Sequence, residues 1–142
     1  MGYRSDVGYV IKFKDTKTMK EFVGLHAINE PTRDALQECA LSYDGDEPVL
    51  SFMATAVKWY ESYQDVQAHE SLLAFIDENE ELEAGYVYVR IGEEVEDVEE
   101  KHGGADDLIP WSGVYVERTL AWNVSESENV DEKGLIAHIA EL

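Results

Sequence analysis

Four histidines, one cysteine and 31 acidic residues are the groups in this 142-residue chain that could do chemistry. Their spacing does not suit a metal centre. His26, His69, His102, His138 and Cys39 are scattered, with no pair at a C-x₂-C or H-x₃-H interval. Asp44-Gly45-Asp46-Glu47 lacks the alternating ligands of an EF-hand loop. No metal and no cofactor is expected. The P-loop, G-x-G-x-x-G and G-x-S-x-G patterns are missing as well. A glycosidase-type pair needs two carboxyls in unlike environments, and a crowd of solvated acids offers many similar ones. What remains for catalysis is His102, beside Gly103-Gly104, as a general base with a neighbouring carboxylate, the makings of a small hydrolase. His26 and His69 fall on apolar helical stripes and read as core histidines held by hydrogen bonds. Cys39 reads as a small buried hydrophobe on a helix.

The elements that must position these groups follow from hydrophobic periodicity. Alternation from Asp6 to Lys14 predicts a strand with Val7, Tyr9, Ile11 and Phe13 on one face. Asp15 is an N-cap for a helix striped by Met19, Phe22, Val23 and His26. Asn29-Glu30-Pro31 opens a second, short helix with Leu36, Cys39 and Ala40 inward. Tyr43-Asp44-Gly45-Asp46 signals a turn, and Pro48 to Lys58 a second strand. Val66, His69, Leu72, Leu73 and Ile76 predict a third helix from Gln64 to Asn79. Ala84 to Ile91 alternates as a third strand, with Tyr86, Tyr88 and Arg90 opposite Val87, Val89 and Ile91. Val95 and Val98 predict a short helix within the acidic stretch that follows, and Ser112 to Asn123 a fourth strand beside the third. The fold class is therefore α+β: a mostly antiparallel four-stranded sheet, helices packed on one face, and an acidic connection between the last two strands. Residues 1–124 form one domain. Residues 125–142 form a tail or a short docking helix through Leu135, Ile136 and Ile139.

Charge is the strongest functional signal. The formal net charge is −20, with 11 Lys plus Arg. Such a field has the wrong sign for direct nucleic-acid binding or for docking on anionic lipid. Aromatics at 11% and apolar residues at 44% exclude a disordered acidic tail. With no signal peptide, no apolar span and one cysteine, a soluble cytoplasmic protein is expected. The charge is also uneven. Residues 1–30 are near neutral, whereas residues 77–107 hold thirteen acids against Arg90 and Lys101. These acids are Asp77, Glu78, Glu80, Glu81, Glu83, Glu93, Glu94, Glu96, Asp97, Glu99, Glu100, Asp106 and Asp107.

Three readings compete for that belt: solubility or high-salt adaptation, a docking surface for a basic partner, and imitation of nucleic acid. Duplex DNA carries one charge per about 1.7 Å, so twenty charges match about 34 Å of duplex. A compact chain of this length is about 37 Å across. The charge densities are comparable. Tyr86, Tyr88, Tyr115, Trp59, Tyr60 and Tyr63 could form a stacking platform for bases, but without a basic groove it would repel a nucleic acid, so they predict a protein-binding face or a homodimer.

Three segments carry a resemblance: Met1-Gly2-Tyr3-Arg4-Ser5-Asp6-Val7-Gly8-Tyr9, Val57-Lys58-Trp59-Tyr60-Glu61 and Gly85-Tyr86-Val87-Tyr88-Val89-Arg90-Ile91-Gly92. Together they resemble a group of small acidic proteins encoded by bacteriophages. The resemblance implies a product of the infected bacterial cytoplasm that disables a host DNA-acting enzyme, DNA gyrase foremost. It carries over no catalytic residue. The expectation is a non-enzymatic inhibitor whose thirteen acids occupy the basic DNA-binding groove of a host protein. The alternatives are an acidic adaptor docking on a basic protein, and the His102 hydrolase.

Overall fold

The first alternating segment becomes the centre of the sheet. In the computed structural model, which describes residues 2–110, 114–116, 120–122 and 134–142, strand β1 (Ser5–Phe13) is hydrogen-bonded along both edges. Its Val7, Tyr9, Ile11 and Phe13 are fully buried on one face. Asp15 then caps helix α1 (Thr16–His26) by accepting the backbone N–H of Thr18 at 2.8 Å, and Met19, Phe22 and Val23 are buried beneath it. Asn29 caps α2 (Glu30–Gln37), with Pro31 in its first turn. That helix ends at Gln37, so Cys39 lies just past it, buried, and Ala40 already belongs to a strand.

This strand, β2 (Ala40–Asp44), is an element the periodicity did not predict. It pairs with β3 (Glu47–Val57) through a two-residue turn in which Gly45 adopts φ +65°, a conformation suited to glycine. Helix α3 (Gln64–Glu78) follows, burying Val66, His69, Leu72, Leu73 and Ile76 as expected. It returns the chain to β4 (Ala84–Gly92), on the far side of β1. Strand order across the first four strands is β2-β3-β1-β4, the ferredoxin-like split β-α-β order.

The acidic stretch departs from expectation. Instead of a short helix, residues 93–97 make a turn and Val98–Gly104 form an edge strand, β5, antiparallel to β4. The sheet therefore has five strands rather than four, all antiparallel: β2-β3-β1-β4-β5. The physical reason is visible in the two valines. Val95 is 76% exposed and Val98 41%, too little burial to hold a helix whose carboxylates would repel at i, i+3 and i+4. In a strand the same side chains alternate between two faces, and the backbone pairs with β4. The fourth expected strand is replaced by two short ones, β6 (Val114–Val116) and β7 (Leu120–Trp122). They pair with each other rather than with β4, as a separate sheet lying against β4 and β1.

Helices cover one face of the main sheet. Tyr86, Tyr88, Leu41, Leu50 and Phe52 join the β1 side chains there in a cluster closed by α1, α2 and α3. Val10, Val49, Val89 and Ile91 form a second buried cluster on the opposite face. A last helix, α4 (Leu135–Ala140), docks on α1 and α2, with Leu135 and Ile139 inside the main core. Of the tail, residues 125–133 lie outside the described residues.

Because Ile139 is 1% exposed within that core, Ile139→Ala is expected to cost about 2–5 kcal/mol in urea denaturation. A loss below about 0.5 kcal/mol, the ordinary range for surface positions, would show that α4 is not part of the cooperative unit.

Candidate functional site

The end of α3, the loop from there to β4, the β4–β5 hairpin and the short turn after it carry all thirteen predicted acids, and the fold uses several of them itself. The hairpin turn is closed by Gly92 N–H donating to Asp97 O at 2.7 Å. Arg90 donates to both Asp97 carboxylate oxygens, at 2.7 and 3.1 Å, and the Tyr3 hydroxyl donates to it at 2.6 Å. The Arg90 guanidinium, helped by Tyr3, holds the Asp97 carboxyl down at about 2. Arg90 Nε also reaches Glu99 at 3.4 Å, and Glu93 accepts the backbone N–H of Arg4. A Cβ at Gly92 would collide with both Asp97 and Tyr3, so glycine is required where the N-terminal arm crosses the hairpin. Glu94 and Glu96 in the same turn are exposed and make no salt bridge among the described residues.

Along β5 the charges are partly compensated. Glu99 and Lys101 face the helix side, opposite Arg90 and Tyr88, and the Lys101 ammonium lies 4.6 Å from the centre of the Tyr88 ring. Glu100 and His102 share the other face, opposite Val89 and Val87. His102 is exposed, so the general base imagined for a hydrolase stands on the edge strand of the described sheet.

At the other end, Asp77, Glu80 and Asp106 line one depression of about 350 Å³ beside Gly104. Asp77 accepts from the Tyr86 hydroxyl at 2.7 Å, and a Cβ at Gly103 would strike both side chains. Asp106 and Asp107 lie in a single 3₁₀ turn, Asp106–Leu108. Glu83 pairs with Lys14 at 2.9 Å. Glu78 and Glu81 line depressions toward α1. The structure therefore does not gather the thirteen acids into one patch. It sorts them into two groups at opposite ends of β4, a nine-residue strand about 26 Å long.

The aromatics are placed otherwise than expected. Tyr86 and Tyr88 are 3% and 1% exposed in the core, so they offer no face to a partner or a second copy, and the argument for a homodimer from these residues is removed. Trp59 is half-buried and donates its indole N–H to the Tyr88 hydroxyl at 3.0 Å. Tyr60 and Tyr63 stack edge to face at 5.1 Å. The side chain of Tyr115 lies outside the described residues.

Sequence reasoning missed one polar chain inside the core. The Tyr9 hydroxyl lies 2.7 Å from His69 Nδ1, and His69 Nε2 lies 3.1 Å from Glu38 Oε2. Tyr9 donating to Nδ1 leaves Nε2–H to donate to the carboxylate, a neutral imidazole satisfied at both nitrogens. Phe52 stacks on the ring at 4.1 Å. Cys39 Sγ lies 3.5 Å from the same hydroxyl, and burial pushes its thiol up to about 12, which makes it inert. His69 was read correctly as a hydrogen-bonded core histidine. Its partners lie 60 and 31 residues away in sequence, beyond any local pattern.

Among the described residues no group of three His, Cys, Asp or Glu side chains is arranged to hold a metal ion, and no helix is long and apolar enough to cross a membrane. No family model, curated protein or solved structure matches the chain.

Burial lowers the proton affinity of His69, against the pull of Glu38, and burial likewise lowers that of His26. The unfolded chain therefore binds more protons below the ordinary histidine value of about 6.5, and stability falls as pH drops through the window beneath it. Urea midpoints are expected to decline from pH 7 to 5, and less steeply in His69→Gln. An NMR titration placing the His69 midpoint above 6.5 would overturn the assignment of a neutral core imidazole.

Proposed function

We propose that this chain is a non-enzymatic acidic protein that binds the basic nucleic-acid groove of a DNA-processing protein in place of DNA. The observation that carries this reading is the two groups of exposed carboxylates left over once the fold has used its share. Glu94, Glu96 and Glu100 stand toward one end of the β4–β5 hairpin, and Glu80, Asp106 and Asp107 at the other. Over about 26 Å a duplex presents about fifteen phosphates and one of its strands about eight. Six carboxylates over that length approach the density of a single phosphodiester strand. The mimicry therefore works through one backbone's worth of charge, with Asp and Glu oxygens taking the place of phosphate oxygens opposite Lys and Arg.

Binding of this kind releases the counterions of the basic groove, so affinity falls steeply with salt. The bacteriophage resemblance makes a bacterial enzyme such as DNA gyrase the first target to test. Lys101, set between the two acidic ends, suits the second reading, an acidic adaptor for a basic protein of another kind, because a phosphate row has no positive member.

The test is capture from bacterial lysate by the tagged full chain, with and without excess duplex DNA. A DNA-processing protein that is retained and then displaced by DNA supports the mimic; partners insensitive to DNA support the adaptor. Reversing Glu94, Glu96, Glu100 and Asp106 to Lys is expected to weaken capture by at least about 100-fold while circular dichroism stays unchanged. His102→Ala is expected to leave capture intact. Undiminished capture by the folded four-site variant would reject the placement of the site.

A further inference from the structure

The helix layer holds a groove, apolar toward Leu82 and mixed in character toward Asn29 and Ser71, that the acidic ends do not explain. Helix α3 packs chiefly on α2, and the gap between α3 and α1 is floored by rings: Phe22 and Phe75 have centroids 6.0 Å apart, and His26 meets Phe75 edge-on at 4.7 Å. Two adjoining depressions of about 440 and 230 Å³ share Leu25 and Phe75 and run from Asn29 to Leu82. Leu25 is 51% exposed, and Ile28, next to Asn29, is 83% exposed. These are large side chains to leave in water on a chain with so many charged ones. The rim has a single sign. Glu21 on α1, Glu78 at the end of α3 and Glu81 beyond it all line the groove, are exposed and make no salt bridge among the described residues.

We propose that this groove binds an amphipathic helix of a partner protein, with apolar anchors spaced i, i+3/i+4 and i+7 and basic residues along both flanks. A helix is the form in which one apolar stripe can fill a gap between two helices, and the three glutamates select Lys and Arg beside that stripe. The groove takes Glu78 and Glu81 from the acidic belt but none of the six carboxylates assigned above to the DNA-mimic surface. An acidic surface alone attracts any basic segment; the groove adds a demand for apolar anchors and so supplies specificity.

The probe is a synthetic helical peptide of about 14 residues, four turns, with Leu at the anchor positions and Lys elsewhere. Its control keeps the charge and replaces each Leu by Ser. Both are titrated into the ¹⁵N-labelled full chain at about 0.15 M salt, where long-range attraction is screened. The Leu peptide is expected to bind at least about tenfold more tightly, the effect of one buried apolar side chain. Amide shifts should map to residues 21–29 and 74–82. Leu25→Ser, at a half-exposed position, should remove most of the difference, and Glu21→Gln with Glu78→Gln and Glu81→Gln should weaken both peptides. Equal affinity for the two peptides, or shifts confined to residues 93–107, would overturn the proposal. Shifts at the groove that grow with protein concentration alone would assign it to a second copy instead, and overturn it too. The four-site variant at Glu94, Glu96, Glu100 and Asp106 should keep the preference for the Leu peptide, so this site and the DNA-mimic site fail separately.

Discussion

Everything in the main sheet depends on β1, which is paired on both edges and buried on both faces. Val7, Tyr9, Ile11 and Phe13 give the helices a surface to cover, while Val10 anchors the second cluster against Val49, Val89 and Ile91. A one-residue slip in register would exchange the two sets and present the helix layer with Gly8 and Lys12. Lys12 fixes the choice from the other side. Its ammonium reaches Asp44 at 2.8 Å and Glu47 at 3.1 Å, tying the β2–β3 turn to the central strand.

A chain with net charge −20 folds against its own repulsion, and three of its bases stand where they relieve it at structural joints. Lys12 serves the β2–β3 turn, Lys14 meets Glu83 at the entry to β4, and Arg90 holds the β4–β5 turn through Asp97 and Glu99. These pairs are partly exposed, so each is worth little in isolation. Their importance is positional. Each neutralises a carboxylate that two elements need close together, while other joints use a carboxylate without a base, as Asp15 caps α1, Asp77 accepts from Tyr86 and Glu93 accepts from the Arg4 backbone.

The sequence was most legible where one element buried one face by itself. Helices α1 and α3 and strands β1, β3 and β4 lie within a residue or two of their expected limits, because their apolar periods run for eight residues or more. Strand β2 escaped because five residues beside a turn carry too short an alternation. Strand β5 escaped for a different reason: Val-Glu-Glu-Lys-His-Gly-Gly has no period, and its strand character comes from the register that β4 offers it. The acidic belt was legible as composition and not as geometry. Which acids are spent on Lys14 or Tyr3 is decided by distant parts of the chain. Which are spent on Arg90 or Tyr86 is decided by the pairing of β4 with β5 and the packing of α3, and the groove at Leu25 exists only because α1 and α3 are brought side by side.

Two different physical needs are met by the acids of the belt. Among the described residues β5 is an edge strand, and an edge recruits other strands unless charge prevents it; Glu99, Glu100 and Lys101 meet that need within the strand itself. Glu94, Glu96, Asp106 and Asp107 do not, because they lie in turns beyond the paired segment. Nor do they relieve a buried cation or cap a helix. Their mutual repulsion opposes folding, and no contact among the described residues offsets it. A cost that serves neither stability nor edge protection points outside the molecule. On that ground the turns at the two ends of the hairpin, rather than the acidic stretch as a whole, are where the proposed positively charged partner would be met.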